Sequence, residues 1–127
     1  LVGSEMCIRD RIKIIAALTA KGGLLNECDY LWLDAFKSRI ADNLIESLLK
    51  YATLLDEHEA FDTKLLISDI IFRFDSVNEA ALRLKCATYV FMRKQYMAKT
   101  TYEHFCREYK SLYDEPFEHS FNSIISQ

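Results

Sequence analysis

DSVNEAALRLKCATYVFMRKQYMAKTTYEHFCREYKSLY, Asp75 to Tyr113, is the stretch that decides the fold. It reads as two amphipathic helices joined by a tight turn. Ser76 and Glu79 have the S-x-x-E spacing of a capping box, in which the serine hydroxyl accepts from the Glu79 amide and the glutamate reaches back to the Ser76 amide. Asp75 adds negative charge at the positive end of the helix dipole. Ala80, Ala81, Leu84, Ala87 or Thr88, and Phe91 then recur at steps of three and four, which is one helix face. Arg83, Lys85, Arg93 and Lys94 lie on the polar side. The turn falls near Arg93-Lys94-Gln95, without the glycine that usually marks one. A second helix follows, with Ala98, Tyr102, Phe105 or Cys106, Tyr109, and Leu112 or Tyr113 on one side. Asp114-Glu115-Pro116 stops it, because proline disfavours helix in the residue before it.

Working outward, Phe61–Phe74 is a third helix, apolar on most sides and so expected in the middle of the bundle. Asp34 to about Asp56 carries the longest regular pattern. Phe36, Ile40, Leu44, Leu48, Ala52 and Leu55 form a core-facing stripe opposite Lys37, Arg39, Asp42, Glu46 and Lys50. Asp56-Glu57-His58-Glu59 is a polar turn. Ile12–Ala20 is short and apolar, a helix by period with a buried strand as the competing reading; Lys21-Gly22-Gly23 ends it. Trp32, the single tryptophan, is expected to plug the core under a loop. Phe117–Ser126 is expected to form a short closing helix with Phe121, Ile124 and Ile125 turned inward.

Three glycines and one proline in 127 residues favour long helices with short connections, and the length suits one domain. No apolar run reaches the roughly 20 residues of a membrane span. A net charge of −3 and a pI near 5.6 argue against a chain that binds nucleic acid by itself. The locally basic second half reads as a solvated face. Cys7, Cys28, Cys86 and Cys106 form no C-x-x-C pair, which points to reduced, buried thiols and a cytoplasmic setting. His58, His104 and His119 lack partners at ligand spacing, so no metal or cofactor is expected. No nucleophile elbow, phosphate-binding loop or H-E-x-x-H occurs, and Asp69 and Glu103 sit on ordinary helix faces, so the chain is not expected to be an enzyme.

Leu1–Arg11, LVGSEMCIRDR, closely resembles the peptide made when a sequencing adaptor is read through as coding sequence, as at the ends of metagenomic gene fragments. Residues 1–11 are therefore set aside as a non-native tail, with an ordinary helix start as the alternative. Residues 12–127 are then expected to be the C-terminal fragment of a longer protein.

Phe36–Phe74 and Asn78–Tyr113 are successive helix pairs, each close to the roughly 34 residues of a tetratricopeptide unit. In the second pair Ala98 stands where the small residue of the second helix belongs, with Tyr102 one turn on. The first pair departs, because Lys64 falls near that position. The expected fold is all-α: tetratricopeptide-like antiparallel helix pairs stacked into a small right-handed bundle.

A more specific resemblance runs from about Lys13 to the end. Gly23-Leu24-Leu25 with Trp32-Leu33-Asp34, then Asp75-Ser76-Val77-Asn78-Glu79-Ala80-Ala81, then Ala98, Tyr102, Phe105 and Tyr109, and lastly Leu112 to Phe121 with Glu115-Pro116, together resemble the bacterial transcriptional activator domain of SARP-type regulators. Ser76 stands in place of that family's usual proline, and Tyr113 in place of its glycine. The resemblance implies a protein-interaction or oligomerisation module of a bacterial DNA-binding regulator. Its partners would be another copy or the transcription machinery, and DNA would be bound only through a winged-helix domain upstream, missing here. The alternative is a tetratricopeptide-like scaffold of another multidomain protein. On either reading the binding surface is expected on the concave side, formed by the first helices of each pair, with Arg39, Asn43, Arg83 and Tyr89 as candidate residues.

Overall fold

The computed structural model describes residues 8–20, 31–55 and 60–126. Among them are six helices and no strand: α1 Ile8–Thr19, α2 Leu31–Ala52, α3 Phe61–Phe74, α4 Glu79–Phe91, α5 Gln95–Tyr113 and α6 Phe121–Ile125. The chain is all-α. The expectations for Gly22-Gly23, the Asp56–Glu59 turn, His58, Cys7, Cys28 and the side chains of Trp32 and Phe36 lie outside the described residues.

α3 is the first organising element, packed by α1, α2 and α4. Its Ile67, Ile70 and Ile71 are fully buried, as a helix apolar on most sides requires. Ile12 and Ala16, one turn apart on α1, and Leu48 and Ala52, one turn apart on α2, complete this core. The short apolar run at residues 12–20 is thus helix rather than strand, and that helix begins at Ile8, inside the stretch set aside above. Arg73 of α3 donates from Nη1 to the Ala16 carbonyl at 2.6 Å, a second bond to an acceptor that also takes the Ala20 amide at 3.0 Å, and so ties α3 to the end of α1.

α4 is the second organising element, held between α3, α5 and α6. Its start differs from the expected capping box. The cap is Asn78, whose side-chain oxygen accepts from the Ala81 amide at 2.9 Å. Asp75 reinforces it, accepting from the Val77 amide at 3.2 Å and from the Asn78 side-chain nitrogen at 3.3 Å. With Asp75 closing that turn, Ser76 sits two residues before the cap and Glu79 is the first helical residue. Glu79 turns instead to Arg83, at 2.8 Å.

The missing glycine after α4 is replaced by Arg93, which takes the left-handed conformation itself at φ 61°. The Lys94 amide donates to the Tyr89 carbonyl at 2.8 Å and the Arg93 amide to Val90 at 3.0 Å, the paired bonds of a Schellman ending. This turn folds α5 back along α4. Ala98 is fully buried in the seam, and the Cys86 Sγ donates to its carbonyl at 3.5 Å.

The closing helix is shorter than expected. Phe117 packs inward ahead of it, its ring centroid 4.9 Å from Phe105 and 5.2 Å from Tyr109. Ser120 caps α6 by accepting from the Ser123 amide. Phe121, Ile124 and Ile125 face the core as expected. The Tyr102 hydroxyl donates to the His119 carbonyl at 2.6 Å, tying this tail to α5.

Candidate functional site

The face of α4 expected from spacing is Ala80, Ala81, Leu84, Ala87 or Thr88, and Phe91, and Ala81 and Thr88 of that face are buried. The residues of α4 that are buried are Ala81, Leu82, Cys86 and Thr88. Ala80, Leu84, Ala87 and Phe91 of the same face line an open groove of about 540 Å³, opposite Leu49, Ala52, Thr53 and Leu55 at the end of α2, and Leu84 also packs against the core. Phe91, at the end of the stripe, is 47% exposed. α4 has neighbours on several sides, and the periodicity names its apolar residues without saying which neighbour covers each.

Lys64 of α3 lies in the same groove. The residue is only 7% exposed. Its side chain makes no hydrogen bond or ion pair with any described residue. A buried ammonium without a partner is costly, and a long aliphatic stem lets it keep its charged end in contact with solvent. The groove it lines is where that end meets water. Arg83 is the other cation of the lining. Its guanidinium is engaged with Glu79 at 2.8 Å and the Ser123 carbonyl at 3.4 Å. No carboxylate lines the groove among the described residues.

A second groove of about 600 Å³ lies between α3 and α5, over Phe72 and Phe105. Its one ion pair among the described residues joins Lys85 and Asp69 at 2.9 Å. Lys85 also sits 5.9 Å above the Phe72 ring, a cation–π distance. Tyr89 and His104 line its walls.

The four sequence-derived candidates are therefore not brought together. Arg39 and Asn43 are exposed on α2 and do not line the α2–α4 groove. Arg83 does line it. Tyr89 lines the other groove, because six residues of α-helix turn about 600°, leaving it about 120° from Arg83. Lys64 was missed as a site residue. Its signal in the sequence was a lysine at a position that calls for a small residue.

Burial pushes the Cys86 thiol up to about 12, with Lys85 nearby acting to lower it, which makes it a poor nucleophile. Among the described residues no three His, Cys, Asp or Glu side chains gather as a metal site would need, and no helix is long and apolar enough to cross a membrane. No protein-family model, no curated protein and no solved structure matches the chain.

Proposed function

We propose that the chain is a protein-interaction module that docks a partner segment in the groove between α2 and α4. The observation that carries this reading is the apolar stripe of α4, four side chains over three turns that line an open groove. Open apolar concavities of this size with a few polar groups are where proteins take ligands. The sequence resemblance extends the proposal: the module belongs to a bacterial DNA-binding transcriptional regulator and contacts another copy or the transcription machinery.

The two parts are tested separately. The coding sequence upstream of codon 12 is recovered from the source DNA. An in-frame winged helix supports the regulator assignment, and further helical repeats replace it with a scaffold. For the docking part, a bacterial two-hybrid assay measures association of the chain with itself and with RNA polymerase subunits. Ala80 is exposed on the groove rim, so Ala80→Arg blocks the groove without touching the core. Association that is unchanged by Ala80→Arg overturns the groove as the docking site.

A further inference from the structure

We infer that the groove takes an amphipathic helix of about three turns that carries an acidic side chain, with Lys64 as the group that receives the carboxylate. The inference rests on the docking proposal and names the class of partner.

The helical form follows from spacing. Ala80, Leu84, Ala87 and Phe91 are separated by four, three and four residues. That is the seam of a helix made to pack along another helix, with side chains inserting between those of the partner. At 1.5 Å per residue the seam is about 16 Å long, which sets the partner's length at about 11 residues. Ala52, Ala80 and Ala87 keep the walls low, so a second backbone can approach closely.

The charge follows from Lys64. It is more than nine-tenths buried, has no partner among the described residues and opens into this groove. A docked helix with only apolar side chains would seal that ammonium from water with nothing to bond, and an uncompensated buried charge is strongly unfavourable. A helix with a glutamate or aspartate beside its apolar seam supplies the missing acceptor through a charge-assisted hydrogen bond. Arg83 is already bonded to Glu79, so a basic segment would meet Lys64 with no carboxylate in the groove lining among the described residues. Charge complementarity therefore selects against it.

The test pans a library of random 14-residue peptides against the immobilised full chain, in wild-type form and as Lys64→Met and Ala80→Arg. Circular dichroism checks that each variant is folded. The expected peptides carry apolar residues at four-three spacing flanked by Asp or Glu, and Ala80→Arg removes their binding. With a synthetic enriched peptide, changing its acidic residue to the amide weakens binding to wild type by about tenfold or more. It leaves binding to Lys64→Met unchanged.

Groove-dependent peptides without an acidic residue, or an equal loss on Lys64→Met, overturn the carboxylate assignment and leave the docking proposal standing. No enrichment that depends on Ala80 overturns both. A dimer in light scattering that Ala80→Arg dissociates assigns the groove to a second copy of the chain and overturns the acidic partner.

Discussion

Lys64 and Ala98 occupy the same place in successive helix pairs, each the fourth residue of the pair's second helix. In the later pair a methyl group sits fully buried between α4 and α5. In the earlier pair an ammonium-bearing chain takes the position and lines an open groove. The two sites should respond oppositely to substitution. Ala98→Leu forces extra methylenes into a closed seam and is expected to cost about 1–3 kcal/mol. Lys64→Met keeps the stem and removes the charge, at a cost of less than about 1 kcal/mol. Urea denaturation of both variants checks the contrast. Equal losses would mean that Lys64 is part of the core.

The start of α4 separates two capping schemes. Asn78→Ala removes the bond to the Ala81 amide and is expected to destabilise by about 1 kcal/mol. Ser76→Ala removes the hydroxyl that the sequence offered as the cap, and should stay within about 0.5 kcal/mol of wild type. A larger loss at Ser76 than at Asn78 would restore the capping box.

Alkaline pH should weaken the fold through Tyr102. Burial raises its hydroxyl from 10.0 to about 12, with Cys106 contributing in the same direction. The folded chain then keeps a proton that the unfolded chain has released. This contribution is complete below pH 10 and disappears as pH rises towards 12. Cys86, raised from 9.0 to about 12, acts in the same sense over a slightly wider window. The melting temperature should fall from pH 9 to 12, and Tyr102→Phe should show a shallower fall. An unchanged slope in Tyr102→Phe would remove the tyrosine from this account.

Helix identity was legible wherever apolar spacing ran uninterrupted between polar turns. Phe61–Phe74 was read to both ends, because Asp56–Glu59 and Asp75–Ser76 bracket it. The cap of α4 was misread because Ser76 and Asn78 both fit a helix start. What decides between them is the Asp75 turn, a three-dimensional arrangement of atoms already in the sequence. The closing helix lost four residues at its start because Phe117 is drawn into the aromatic cluster with Phe105 and Tyr109. At the candidate site, spacing found the Ala80–Phe91 face but did not divide it between the core, which takes Ala81 and Thr88, and the groove, which Ala80, Ala87 and Phe91 line. Periodicity measures which residues share a face, and a helix held on several sides has more than one apolar face. Lys64 was visible as an exception to a repeat pattern; its burial depends on how α2, α3 and α4 meet.

The position of α4 between its immediate neighbours in the chain has a kinetic consequence. The α3–α4 and α4–α5 seams close connections of only a few residues, so they form at little cost in loop entropy. α1 and α6 each reach past an intervening helix to find α3 and α4. Folding should therefore begin around α4 and finish at the two ends, quickly for a chain of this size because its central contacts are local. In a mutational kinetic series, changes at Leu82 or Ala98 should slow folding, while changes at Ile124 should mainly speed unfolding. The reverse ranking would place the nucleus at the aromatic tail.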